Sequence, residues 1–153
     1  MKKNIKIISI LAFSMLLLSC GFKQIQGKKK IQIQNINING ENRIAYVLKN
    51  NISLMSDNNS KNKYDVEINI KKEKKNKIKD LAGRVIRYEL FIEADFKLTD
   101  LNDNKIIQKK FIRNSDYTVG SSHSSTIDNE RNATKNIIRQ LSEDINNFIT
   151  FLN

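Results

Sequence analysis

The spacing of apolar positions divides the chain into six elements. In "IQIQNINING" isoleucine stands at 31, 33, 36 and 38, and because strict alternation breaks between 33 and 36 the segment predicts a strand with a bulge near Asn35, closed by Gly40. Ile44, Val47, Leu48, Ile52 and Met55 then recur at spacings of three and four, which puts them on one face of a helix. "SDNNSKNK", 56–63, reads as the loop that ends it. Tyr64, Val66, Ile68 and Ile70 alternate with Asp65, Glu67, Asn69 and Lys71, the pattern of a half-buried strand. The run "KKEKKNKIK", 71–79, reads as a solvated charged loop that closes at Gly83. From Ile86 through Tyr88, Leu90, Ile92, Ala94 and Phe96 to Leu98 the period of two is cleanest, predicting a long strand inside a sheet. "TDLNDNK" supplies a turn, and the return strand runs from Ile106 to about Tyr117 with Ile107, Phe111 and Ile112 pointing inward. After the loop "GSSHSST", Ser125 stands three residues before Asp128 as a variant capping pair. Ala133, Ile137, Ile138, Leu141, Ile145, Phe148 and Leu152 then make one stripe of a helix of about 25 residues, roughly 37 Å long. The order β-α-β-β-β-α predicts an α+β fold: a two-layer α/β sandwich, with a four-stranded, mostly antiparallel sheet carrying two helices on one face. Arg87, Glu89, Glu93 and Lys97 fall on the other, wet face.

The N-terminus follows a different logic. Lys2, Lys3 and Lys6 precede an apolar run from Ile7 to Leu18, too short to span a bilayer and shaped like an export signal. "LLSC" closes it with the pattern of a bacterial lipobox, so residues 1–19 read as a lipoprotein signal peptide and Cys20 as the acylated mature N-terminus. Several acyl chains, at about 0.8 kcal/mol per buried methylene, hold such a protein to a bilayer where one chain would not. Position 21 is Gly and not the Asp of an inner-membrane retention signal, which favours the outer membrane with the domain facing the periplasm. Residues 20–30 read as a lipidated tether and 31–153 as a single domain.

Composition narrows the chemistry. The only cysteine is used for lipid, so no internal disulfide or cysteine metal site is expected, and with one His no metal centre and no cofactor. Formal charge falls from +11 to +8 when the three signal lysines leave, which favours an anionic partner; the envelope setting argues for phosphorylated glycolipid and against nucleic acid. His123 in "SSHSS" lacks a nucleophile elbow or an oxyanion hole, "GRVIRYEL" lacks the glycine spacing of a nucleotide loop, and Tyr88 and Phe96 share the apolar face with Ile and Leu, whereas Phe91 does not. No constellation supports an enzyme.

Four strings, "LLLSCGFK", "IQIQNI", "RYELFIEADFKL" and "FIRNSDYTVGSSHSSTIDNERNATKNIIRQLSEDINNFI", together with the element order, resemble the lipopolysaccharide-assembly lipoprotein family LptE, especially its shorter alphaproteobacterial members. The resemblance implies a protein without catalysis or cofactor that plugs an LptD-like outer-membrane β-barrel, assists its assembly and binds lipopolysaccharide in transit. The family's basic contact residues do not line up with single positions here and are not carried over. From the residues themselves Arg84 and Arg87 are the candidates for gripping phosphate, with Lys77 and Lys79 adding charge; ordinary solvated strand-end charges are the alternative. A solitary envelope lipoprotein binding anionic polymer or peptidoglycan is the competing function. Cys20→Ala is expected to abolish labelling by radioactive palmitate while leaving the far-ultraviolet circular dichroism of the domain unchanged.

Overall fold

Alternating isoleucines form the first strand, β1 (Gln32–Asn39), which pairs in parallel with β2 (Lys63–Lys79); the register slips between Ile33 and Asn35, where alternation breaks in the sequence. The structure is a computed structural model that describes residues 31–152, so the signal segment, the tether and Cys20 lie outside the described residues. Gly40 turns the chain off the sheet at φ +132°, and a Cβ there would stand 2.7 Å from the Ile70 carbonyl oxygen, so the close approach requires a residue without a side chain. Helix α1 (Asn42–Ser53) follows, and its return to β2 makes a β-α-β unit. The rest of the sheet is antiparallel: β2 pairs with β3 (Val85–Asp100) and β3 with β4 (Ile106–Thr118), in the order β1-β2-β3-β4. Helix α2 (His123–Leu152) completes the chain.

One sheet face is apolar and both helices bury it. Val66, Ile68, Leu90, Ile92, Phe96 and Leu98 meet Ile44, Leu48 and Ile52 from α1 and Ile137, Leu141 and Ile145 from α2, all at most 2 % exposed. Phe96, Phe111 and Phe148 meet edge to face with centroids 5.8–6.0 Å apart. The helices join through Asn51, whose Nδ2 donates to Ser142 Oγ at 2.9 Å, while that hydroxyl donates to the Ile138 carbonyl at 2.8 Å. A buried hydroxyl thus has both partners it needs. The opposite sheet face is a ladder of compensated charge. Lys97 pairs with Glu67, Lys110 with Glu93 and Asp95, and Lys77 with Asp116 and Glu89.

The structure departs from the sequence pattern at four places. Residues 71–79 are not a loop: β2 continues to pair with β3, with register shifts between Asn76 and Lys79, as far as Lys79 opposite Val85. Ile112 is 54 % exposed on the outer face, because alternation in β4 follows Ile107, Phe111 and Tyr117 and one of two adjacent apolar residues must face out. Helix α2 begins at His123, and the capping bonds belong to Ser122 and Ser125: each backbone N–H donates to the other's hydroxyl at 3.1 Å. At the far end Ile149 is buried and Leu152 is exposed. Phe96→Ala removes the ring shared by the aromatic triad and is expected to cost about 3–5 kcal/mol, read as a lowered midpoint in equilibrium urea unfolding.

Candidate functional site

Past Asn69, where β1 stops pairing, β2 and β3 run on as an arm. Its apex is an ordered turn. Asp80 Oδ1 accepts the N–H groups of Ala82 and Arg84 at 2.9 Å each, Asp80 Oδ2 accepts Arg84 Nε at 2.8 Å, and Gly83 takes the left-handed conformation at φ +79°. These bonds hold the Asp80 carboxyl below its ordinary value, the Arg84 backbone bond first among the causes. Leu81 projects from the apex fully exposed, with Ile78 and Ile86 about half-exposed behind it.

Charge is concentrated on this arm. Residues 71–87 carry eight Lys or Arg against Glu73 and Asp80, a net of +6, whereas the whole segment 31–153 carries twenty against sixteen, a net of +4. The remainder of the domain is therefore at −2. A lysine-rich strand survives because its neighbours alternate sides. On the outer face Lys71 lies near Glu93, Lys75 sits 4.8 Å over the Phe91 ring, and Lys77 reaches Asp116 at 2.7 Å. The Asp116 bond, together with the charge of Glu89, keeps the Lys77 ammonium above its usual pKa.

On the helix side, where α1 no longer covers the sheet, Lys72 and Lys74 stand where apolar residues stand lower down. Lys72 lies 3.1 Å from Glu130 and 3.3 Å from Glu41, and the Tyr117 hydroxyl donates to Glu130 Oε2 at 2.9 Å. Lys74 lies 3.7 Å from the same Glu130 oxygen and 5.0 Å over the Tyr88 ring, which stacks on Tyr117 at 5.4 Å. Burial by itself would raise the Glu130 carboxyl, but the Tyr117 and Lys72 hydrogen bonds and the two ammonium charges hold it below its ordinary value. Burial and the same bond push the Tyr117 phenol well up. This cluster ties the base of the arm to the N-terminal ends of both helices.

The four cations singled out from the sequence share this end of the sheet but do not converge. Arg84 is tied to Asp80 in the apex, and Lys77 is folded onto Asp116. Arg87 is half-buried and lines a cleft of about 380 Å³ with Tyr117, Thr118, Asn129 and Asn132. Lys79 is exposed at the last position of β2. Sequence reasoning missed Lys72, Lys74 and Lys75. The available signal was the period of two, which continues from Tyr64 to Asn76 once lysine stems are counted as strand residues. A larger concavity, about 870 Å³, opens between α1 and α2 over Val47, Ile127 and Ile138. Its rim sets Arg43, Lys72, Arg131 and Lys135 against Glu41, Asp128 and Glu130, nearly neutral, so the arm is the stronger site for an anion.

A family model described as LptE, lipopolysaccharide-assembly, matches residues 29–149. No curated protein matches the sequence. Among solved structures the chain is similar to a lipoprotein from Caulobacter crescentus CB15, at TM-score 0.56 and 14 % identity over 76 % of this chain and 89 % of that one. It is similar to the rare lipoprotein B from Shewanella oneidensis, at TM-score 0.58 and 12 % identity over 78 % and 96 %. It is also similar to a lipoprotein B from Nitrosomonas europaea, at TM-score 0.51 and 16 % identity over 85 % and 90 %. At these identities the likeness is one of fold.

Glu130→Gln is expected to lower stability at pH 7 by about 1–2 kcal/mol, since it weakens the Lys72 and Tyr117 bonds. A carboxyl held low in the folded state stabilises above its unfolded pKa and loses that contribution as pH falls through the folded one. Urea midpoints of wild type and variant should therefore differ at pH 7 and converge in strong acid.

Proposed function

We propose, from the premise that this chain belongs to the LptE family of lipopolysaccharide-assembly proteins, that it is a lipid-anchored subunit of the outer membrane that docks with an LptD-like β-barrel and offers its cationic arm to the phosphorylated head of lipopolysaccharide. The observation that carries this reading is the separation of charge, +6 on residues 71–87 against −2 on the rest of the domain. Direction supports it too. Ile31, where the tether arrives, lies at the Lys63 end of β2, and the apex lies at the other end, roughly 50 Å away at about 3.3 Å per residue. A domain held by acyl chains on Cys20 would thus present the arm away from its anchor.

The work is binding, with no bond made or broken. Lys79 and Arg87, which no acid reaches within ion-pair distance among the described residues, are the cations best placed for phosphate, and Lys75 adds to them although it lies 3.4 Å from the exposed Glu73. Arg87 brings a planar fork able to take two oxygens, and the lysines bring point charges on flexible stems. Lys77 and Arg84 are already neutralised by Asp116 and Asp80 and contribute less. Such attraction is screened by salt.

Replacing Lys75, Lys79 and Arg87 together by Glu in the full chain is expected to weaken binding to lipopolysaccharide micelles at least about tenfold at low salt. Lys77→Ala with Arg84→Ala is expected to do less. Unchanged affinity in the triple variant would refute the arm as the site. Affinity purification of the tagged chain tests docking: a stoichiometric large β-barrel supports it. A chain that elutes alone without lipopolysaccharide affinity would point to a solitary binder of anionic polymer or peptidoglycan.

A further inference from the structure

The sheet has two open edges, and the chain treats them differently. β1 is eight residues long with a bulge, whereas β4 runs thirteen residues in unbroken register with β3. A long flat edge is a template for another strand unless it is blunted. Two bonds at its ends tell which backbone groups face outward. The Val119 N–H donates to the Ile86 carbonyl at 3.0 Å, and the Asp100 N–H donates to the Lys105 carbonyl at 2.9 Å. Bonded and non-bonded pairs alternate along an antiparallel ladder, and both of these pairs belong to one series. Odd-numbered residues of β4 therefore bond β3, and the even-numbered residues from Gln108 to Thr118 turn their N–H and C=O groups to the free side. Asn129 on α2 agrees independently: its Nδ2 donates to the outward Thr118 carbonyl at 3.0 Å. Among the described residues no bond reaches the outward groups of 108–116.

Those free groups face a trough between β4 and α2. Two concavities of about 380 and 410 Å³ lie along it, the upper one lined from α2 by Asn129, Asn132 and Asn136, the lower by Asn147, Phe148 and Phe151. Carboxamides beside an unpaired backbone edge suit an incoming backbone, since each both donates and accepts. The lower half sets Lys109, Lys110 and Arg113 against Asp144; Asp144 holds Arg113 at 2.6 Å and Glu93 and Asp95 hold Lys110, so Lys109 carries its unbalanced positive charge, and Phe151 stands 89 % exposed beside it.

We propose that the β4 edge is a strand-addition site for an extended acidic segment of another polypeptide, which pairs with residues 108–116 through its backbone and seats an apolar side chain against Phe151. A second copy of this chain fits less well, because a two-fold antiparallel pairing centred near Phe111 would gather the Lys109, Lys110 and Arg113 side chains of both copies at one seam. The site borders the arm at Arg87, which lines the upper concavity, but its pairing residues 108–116 lie outside the arm, and it holds whether or not the arm binds lipopolysaccharide.

The probe is a labelled twelve-residue peptide of alternating Glu and Val, added to the full chain in detergent, with residue-resolved amide exchange as the readout. Exchange at Lys110, Ile112 and Asn114 should slow at least about tenfold on binding, and a Lys and Val peptide should not bind. Ile112→Pro deletes one outward N–H on an edge strand, where proline is tolerated, and should weaken binding at least about tenfold with unchanged circular dichroism. Bound peptide that leaves those amides unprotected, wild-type affinity in Ile112→Pro, or outward amides already protected in a dimer by sedimentation would each overturn the proposal. Should Ile112→Pro fail to fold, the wild-type exchange pattern decides.

Discussion

Fifteen cross-strand pairs hold β2 against β3, from Tyr64 opposite Asp100 to Lys79 opposite Val85, and this pairing turns a run of lysines into a structured arm. Unpaired, the ammonium groups of Lys71, Lys72, Lys74 and Lys75 would repel one another and favour a loop. Paired, they part to opposite faces and meet groups brought from elsewhere: Glu93 on β3, Glu130 on α2, Glu41 before α1, and the rings of Tyr88 and Phe91. Each exposed pair is worth little alone. Together they remove the repulsion that would unzip the strand, and the backbone ladder does the rest.

The same pairing divides the molecule into zones. Near Lys63 the sheet is roofed by both helices and sealed by isoleucine, leucine and the Phe96, Phe111 and Phe148 triad. Higher up, beyond the start of α1, the cluster of Lys72, Glu130 and Tyr117 takes over from apolar contact. Beyond it the arm carries only its own turn, braced by Asp80 and tipped by Leu81. Cohesion thus passes from burial to ion pairing to local hydrogen bonds along one strand. On the proposed reading, the least enclosed zone is the one that meets an anion, and the open β4 edge gives the domain a second, backbone-based contact.

Charge has to be judged by its partners. The outer sheet face carries lysines too, yet Lys97, Lys110 and, on the arm, Lys77 each lie within ion-pair distance of an acid across the strands. That face offers little net field. Cations count toward an external anion where the local sum is unbalanced, which is why Lys79 and Arg87 weigh more than Arg84, although both arginines stand close together in the sequence.

The sequence by itself determined the element order, the bulge near Asn35 and the core face of β2 and β3, because periods of two and of three to four are local consequences of backbone geometry. It also carried the string "LLSC", which has the pattern of a lipobox, and the strings resembling the LptE family, which are read directly as residues. Only the tertiary structure decided that 71–79 is a strand, that Ile112 faces out, that Ser122 caps α2, and that Lys77 and Arg84 are neutralised while Arg87 is not so paired. Each of these depends on which residue lies opposite. For Lys77 the partner is Asp116, thirty-nine positions away, and for Lys72 it is Glu130. Periodicity reports which way a side chain points; only the packed sheet and helices bring it a neighbour.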